Sequence, residues 1–430
     1  MQITLQAGMS FLFNPFDAAA VVVLCAAVFG YLNYRFLGLP QTTGLTIMGA
    51  LASVIVVVLD RFLPAEGSHA VRQAIEGIDF RFALMEGMLS FLLFAGALHI
   101  DLHEMRRSKW AIGIITLFGV LASTAFIGGG AWALAEVFGL ELPLLWCLLF
   151  GALISPTDPV AVLGILKSAK VPAPLEATVA GESLFNDGIA VVVFSILLGV
   201  ASGTGEATLA EAGRLFVLEA LGGAAVGAVA GWIAFVALRS IDEHNLEVMI
   251  TLALVMGGYA LCHRLEVSGP IAMAVAGLII GNHGRSLAMS EITRDHVTKF
   301  WSLIDEILNA VLFLLIGLEV IIVLDEPWFL VFGLAAAPLV LVARAASVGV
   351  PVVLAYRLLR LTRESYAILV LGGVRGGISI ALALSVPAGP YKGLIVSSTY
   401  VVVLLSVLLQ APVVGFAARR LFTGKATTPS

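Results

Sequence analysis

FGALISPTDPVAVLGIL, residues 150–166, is an apolar run interrupted at its centre by Ser155, Pro156, Thr157, Asp158 and Pro159. The flanks read as buried helix, but each proline removes a backbone donor and clashes with the preceding turn. Two prolines around a Thr-Asp pair therefore predict two half-helices joined by an unwound segment with exposed carbonyl oxygens. Such backbone is tolerated at membrane depth only where it lines a cavity or is buried in protein. The plainer alternative is a proline kink with Asp158 capping the second half-helix, but Ser or Asn would cap without placing a charge in an apolar setting.

The surrounding chain makes a membrane setting the natural one. Of 430 residues, 60% are hydrophobic and 12% charged, with mean hydropathy +1.03, so lipid must solvate much of the surface. A ruler of about 20 apolar residues per crossing helix gives roughly thirteen candidate spans, at about 17–37, 43–60, 82–100, 110–137, 144–167, 174–202, 211–238, 246–264, 268–282, 299–324, 327–356, 365–387 and 391–418. The interrupted stretch above is the fifth. Placing the C-terminus inside puts sixteen of the 24 Lys and Arg residues on the cytoplasmic side, among them Arg106, Arg107, Arg357, Arg360, Arg419 and Lys425. Arg61, Arg72, Arg81, Arg214, Arg264 and Lys392 fall outside, and Arg344 and Arg375 fall within spans. That asymmetry predicts an external N-terminus. An odd span count with a broken-looking helix in each half fits a transporter built as inverted repeats joined by an extra helix.

Composition also excludes function classes. A net charge of −5 offers nothing to a nucleic acid, and the three cysteines sit singly in apolar stretches as small hydrophobes. The N-terminus lacks the basic region of a removable signal peptide. The polar end, residues 423–430, is read as a short cytoplasmic tail.

Outward from the fifth span, the sixth carries GESLFNDGIAVVVF (181–194). Residues three or four apart share a helix face, so Ser183 lies with Asp187 while Glu182 lies with Asn186 on the adjacent face. The two carboxylates can thus hold different tasks: Asp187 facing a cavity with Ser183, and Glu182 seeking a buried cation. The twelfth span, ILVLGGVRGGISIALAL (368–384), supplies one in Arg375, flanked by Gly372, Gly373, Gly376 and Gly377. An arginine at this depth is costly unless paired, and the glycines permit close helix approach or local loosening. The expected pair is Glu182–Arg375. Arg344, in LVLVARAASVG, has Asp158 or a cluster of carbonyls as candidate partners. Freed carbonyls beside a carboxylate suit a hard monovalent cation.

SPTDPVAV (155–162), GESLFNDG (181–188), ILNAVLFLLIGLEV (307–320) and GGVRGGIS (372–379) together resemble the NhaP/NHE branch of the monovalent cation:proton antiporters, in that family's order and over nearly the whole chain. The resemblance implies an all-α integral membrane fold of thirteen transmembrane helices, an NhaA-like inverted repeat with two discontinuous crossing helices, the fifth and twelfth. Residues 1–422 would form a single transmembrane domain. Its core helices would lie at about 110–202 and 327–418, its dimerising scaffold at about 17–100 and 246–324, and its linker helix at about 211–238. It implies a Na⁺ site, open also to Li⁺ or K⁺, at Asp187, Asp158, Ser183 and Thr157, with Asn186, Glu182, Arg375 and Arg344 in support. Asp187 would take either cation or proton, and the uncharged Asn186 implies electroneutral exchange. The implied setting is a bacterial inner membrane, with roles in sodium and pH homeostasis, a homodimer in lipid, and no cofactor. Ala95, in LLFAGALHIDL, stands where many relatives carry an acid on the third helix, leaving one possible ligand absent.

Three other functions could be read into an acidic cavity. A channel needs a repeated filter, an intramembrane aspartyl protease needs a Gly-Asp dyad context, and an organic-anion carrier needs a basic cavity; none is present in the sequence. His99 and His103 flank Asp101 at i, i+4 spacing and read as interfacial histidines. Asp305 and Glu306 are expected at the inner mouth of the tenth span and Glu319 at its outer end, with 281–299 a cytoplasmic connector.

Overall fold

A computed structural model describes residues 15–62, 88–158, 160–203, 208–284, 288–318, 327–354 and 361–422. Outside the described residues lie Pro159, Arg72, Arg81, Arg285, Glu319, Arg357, Arg360, Lys425, the first part of the third expected span, the end of the tenth, and the tail 423–430.

The described residues contain helices and no strand. In chain order these are α1 (Pro15–Leu32), α2 (Gln41–Phe62), α3 (Leu89–Leu98), α4 (Leu102–Arg107), α5 (Lys109–Phe138), α6 (Leu144–Ile154), α7 (Val160–Ser168), α8 (Ala173–Ala201), α9 (Leu209–Arg239), α10 (His244–Arg264), α11 (Gly269–Ile279), α12 (Glu291–Leu318), α13 (Pro327–Leu354), α14 (Arg363–Leu371), α15 (Gly377–Leu384), α16 (Lys392–Leu405) and α17 (Ala411–Phe422). Among the described residues, eight helical stretches are long and apolar enough to cross a membrane: 19–37, 109–138, 173–201, 210–239, 244–264, 291–318, 328–354 and 392–422. Shorter apolar helices lie at Gln41–Val56, Leu89–Leu98 and Leu144–Ile154.

The chain divides into two compact units. The first comprises residues 1–80 and 310–322. Within it α2 meets the end of α12 through backbone: a Cβ on Gly49 would lie 2.7 Å from the Leu314 carbonyl oxygen. Ser53 Oγ donates to the Leu318 carbonyl at 2.8 Å. Without water in the hydrocarbon, such small-residue seams and side-chain hydrogen bonds do the work of holding helices together.

The second unit comprises residues 81–309 and 323–430. Here α5 packs along α6 and α13, α9 along α11, α11 along α3, and α13 along α16. Gly223, Gly227 and Gly231 form a stripe at four-residue spacing against α11, where a Cβ on Gly227 would collide with the Ala272 carbonyl oxygen. Any larger side chain would force these helices apart. One apolar core joins Phe94, Leu254, Met273 and Trp301, and a smaller one joins Leu89, Leu93 and Ala97 with Leu184 of α8.

Both interruptions foreseen in the sequence occur. The fifth-span helix stops at Ile154 and resumes at Val160; the twelfth-span helix stops at Leu371 and resumes at Gly377. A wide π-helical turn, Ser406–Gln410, interrupts the last helix just before Pro412. A helical Pro412 lacks its own donor and crowds the carbonyl four residues earlier, and a π turn makes room for it.

Two expectations are corrected. Residues 281–299 are not a plain connector, because α12 begins at Glu291. Ser290 Oγ accepts from the Thr293 amide at 3.3 Å, supplying the N-terminal cap. Nor do His99 and His103 share a helix: Asp101 ends the turn between α3 and α4, its carboxylate accepting from the amides of His103 at 2.7 Å and Glu104 at 3.4 Å.

Candidate functional site

Helix α8 carries Glu182, Ser183, Asn186 and Asp187, each at most 3% exposed. Their helical spacing sets the first contact, since Asn186 Nδ2 donates to Glu182 Oε1 one turn away at 3.0 Å. The unwound segment between α6 and α7 brings Thr157 against this face. Thr157 Oγ1 lies 3.0 Å from Ser183 Oγ and accepts from Asn186 Nδ2 at 3.2 Å. The Thr157 backbone lies close enough to the Asp187 carboxyl to act on it. Asp187 Oδ1 is buried and accepts no hydrogen bond among the described residues.

Asp158 belongs to the same unwound segment and joins it to the other one. Its backbone amide donates to the Val374 carbonyl at 2.7 Å. A Cβ on Gly376 would lie 2.6 Å from Asp158 Oδ2, so only glycine permits this approach. Asp158, Glu182 and Arg375 all act electrostatically on Asp187, which places three carboxyl groups and a guanidinium in one neighbourhood. Asp158 is partly exposed, whereas Asp187 is buried.

The ion pair foreseen between Glu182 and Arg375 is not the one formed. Glu182 is held by Arg344 in a two-pronged pair, Nη1 to Oε1 at 2.9 Å and Nη2 to Oε2 at 2.8 Å. Both side chains are buried, and the planar fork of arginine matches a carboxylate in this geometry. Arg344 Nη2 also reaches the Leu369 carbonyl at 3.1 Å, so Glu182, which was not among its expected partners, holds it together with a single carbonyl in place of the expected cluster. Gly373 makes room for its stem: a Cβ there would lie 2.6 Å from Arg344 Nε.

Arg375 serves the carbonyls instead, its Nη1 donating to Ser155 O and to Pro156 O. The reason lies in the sequence. In a continuous helix the Ser155 carbonyl would accept from residue 159, but Pro159 has no N–H to give. A buried carbonyl left without a donor is expensive, and Arg375 supplies one from the other interrupted span.

Some candidates lie elsewhere. Ala95 belongs to the apolar core of Phe94, Met273 and Trp301, while Leu93 and Ala97 face Leu184 of α8. Asp305 bonds to Asn309 Nδ2 at 3.0 Å on its own helix. Hydropathy had passed over Ser406 and Gln410. Ser406 Oγ accepts from the Arg375 amide at 2.9 Å and donates to Gln410 Oε1 at 2.8 Å, and Gln410 Nε2 donates to the Leu371 carbonyl at 2.7 Å. A lone glutamine in SVLLQAPVV was the available signal.

Residues 22–420 match the family model described as the transmembrane sodium/hydrogen exchanger. The chain belongs to the sodium/hydrogen exchanger family. Its members are secondary transporters, not enzymes. The chain is 51% identical over 417 residues to the Na(+)/H(+) antiporter NhaP of Pseudomonas aeruginosa, covering 95% of this exchanger and 97% of the relative. It is 36% identical over 338 residues to the Na(+)/H(+) antiporter NhaH of Halobacillus dabanensis, covering 77% of this chain and 81% of that one. The fold of this exchanger is similar to that of the sodium proton antiporter MjNhaP1 of Methanocaldococcus jannaschii at pH 8. That match has a TM-score of 0.74 at 20% identity and covers 95% and 98% of the two chains.

Proposed function

We propose that the chain exchanges Na⁺, with Li⁺ or K⁺ as alternative cations, for H⁺ by competition of cation and proton at Asp187. The observation that carries this reading is the state of Asp187 itself. It is a buried carboxyl on a membrane-crossing helix, with oxygens of Thr157 and Ser183 gathered beside it, and neither arginine hydrogen-bonds to it: Arg344 is engaged by Glu182 and Arg375 by two carbonyls. With Glu182 matched by Arg344, Asp187 and Asp158 share the one remaining guanidinium, so the cluster keeps a negative charge that a mobile cation or a proton must balance.

In this reading Asp158, Thr157 and Ser183 complete the oxygen set around Asp187 for a hard cation. Asn186 is an uncharged strut whose amide is spent on Glu182 and Thr157, leaving one titrating carboxyl per cycle and hence one-for-one, electroneutral exchange. Thirteen helices form an NhaA-like inverted repeat with two crossing, interrupted helices. The core moves past a dimerising scaffold so that the site opens to each side in turn. The exchanger sits as a homodimer in a bacterial inner membrane, N-terminus outside and C-terminus cytoplasmic, where it serves sodium and pH homeostasis.

The test is Na⁺-driven proton flux in proteoliposomes, read with a pH-sensitive dye at clamped membrane potential. Asp187→Asn is expected to abolish flux while the protein remains folded and dimeric. In the unaltered chain the apparent KM for Na⁺ should rise as pH falls, with little change in maximal rate, as competition requires. Robust flux from Asp187→Asn, or a flux that follows the clamped potential, would overturn the competing-site or the electroneutral part respectively.

A further inference from the structure

In an uninterrupted twelfth-span helix the Arg375 amide would donate to the Leu371 carbonyl, four residues earlier. The interruption splits this bond among others, and two side chains of the last helix take up its halves. Gln410 Nε2 donates to the Leu371 carbonyl, Ser406 Oγ accepts from the Arg375 amide, and Ser406 Oγ donates to Gln410 Oε1, closing the bridge. Ser406 Oγ both accepts and donates, while the two ends of the Gln410 amide are each used once. Ser406 and Gln410 are one turn apart and bound the π-helical turn Ser406–Gln410, a feature that often marks functional positions.

We propose that Ser406 and Gln410 are positioning residues for the cation site, acting through Arg375. The proposal rests on the transport reading above and deepens it. Neither residue bonds to the carboxyl cluster of Asp187, Asp158 and Glu182. Their bridge fixes the segment between Leu371 and Gly376, and that segment does two things for the site. Its Arg375 guanidinium donates to the Ser155 and Pro156 carbonyls, and its Val374 carbonyl accepts from the Asp158 amide. The two contacts lie on either side of Thr157, whose hydroxyl lies 3.0 Å from Ser183 Oγ and whose backbone adjoins the Asp187 carboxyl. Without the bridge, the Leu371 carbonyl and Arg375 amide regain each other as the nearest partners. Continuation of the helix across the gap would then carry Arg375 and Val374 away from the fifth-span segment.

The experiment compares Gln410→Leu, Gln410→Glu and Ser406→Ala with the unaltered chain in the same proteoliposome assay, at the acid end of the working range. A neutral glutamic acid preserves both functions, its O–H donating to Leu371 and its C=O accepting from Ser406, whereas leucine preserves only bulk. Loss of one buried hydrogen bond on this scale corresponds to about tenfold. Gln410→Leu and Ser406→Ala should therefore raise the apparent KM for Na⁺ about tenfold relative to the unaltered chain at the same pH, with maximal rate changed far less. Gln410→Glu should stay within about twofold, since it keeps the bridge. Amide hydrogen exchange of the peptide spanning Val374–Gly377 should change in Gln410→Leu and Ser406→Ala and not in Gln410→Glu, a readout that needs no transport. Unaltered KM in Gln410→Leu and Ser406→Ala, or a Gln410→Glu as impaired as Gln410→Leu, overturns the proposal. Should Gln410→Leu fail to fold, the other two variants decide. Flux surviving in Asp187→Asn while the exchange pattern holds would instead sink the transport reading and leave the bridge standing.

Discussion

The two interrupted spans are opened by opposite chemistry. Between α6 and α7 the opening is covalent: Pro159 has no N–H for the Ser155 carbonyl, and no change of neighbours can restore that bond. Between α14 and α15 every residue retains its amide, and glycines only make the open form inexpensive. There the opening persists because Gln410, Ser406 and Asp158 each hold one backbone group of the segment. The proline segment brings the Thr157 hydroxyl against Ser183 and Asn186, on the helix of Asp187; the glycine segment contributes a guanidinium and a carbonyl. In the proposed exchange cycle one segment would supply ligands, and the other the frame that holds them.

The largest effect should come from the part of the frame with the greatest buried charge. Glu182→Ala strands the Arg344 guanidinium in an apolar interior, and breaking a buried pair from one side costs about 3–5 kcal/mol. Thermal unfolding in detergent should fall steeply. Glu182→Gln should do less harm, since its carbonyl oxygen still accepts from Arg344. Equal melting of Glu182→Ala and Arg375→Met would reverse the assignment of the carboxylate to Arg344.

The second effect separates the two segments directly. Arg375→Met removes the donor from the Ser155 and Pro156 carbonyls, and unsatisfied buried groups of this kind cost about 1–3 kcal/mol each. Because Pro159 prevents repair from within the fifth span, stability and Na⁺ affinity should fall together. A drop in affinity with an unchanged melting temperature would mean that other donors reach those carbonyls.

How far the sequence carried this comparison depends on what kind of signal each feature left. Proline pairs and clustered glycines act on their own backbone, so both interruptions were legible and both occur. The grouping of Glu182 with Asn186, and of Ser183 with Asp187, follows from helical periodicity, and the 3.0 Å contact from Asn186 to Glu182 agrees with it. The choice between Arg344 and Arg375 for Glu182 was not legible, because two arginines in apolar helices look alike until tertiary packing decides between them. Ser290 as a cap and Asp101 as a helix start were readable from local rules, yet hydropathy windows smoothed over both. Gln410 escaped for a similar reason, as one amide in an apolar run barely moves an average while its two hydrogen bonds decide a backbone conformation.

The smallest effect should mark the ligand side of the comparison. Thr157→Val keeps the shape of the side chain and removes the hydroxyl that lies 3.0 Å from Ser183 Oγ and accepts from Asn186 Nδ2. A neutral buried hydrogen bond contributes about 0.5–1.5 kcal/mol net, and Asn186 keeps its bond to Glu182, so the melting temperature should move little. Thr157 supplies an oxygen beside Asp187, however, and its loss should raise the apparent KM for Na⁺ several-fold. The proton arm of the cycle should be spared, because Asp187 retains its carboxyl. The measurement is therefore the KM for Na⁺ against the pH at half-maximal flux, taken for Thr157→Val and Arg375→Met side by side. If Thr157→Val shifts stability as much as Arg375→Met does, the division between a ligand-bearing segment and a framing segment is wrong.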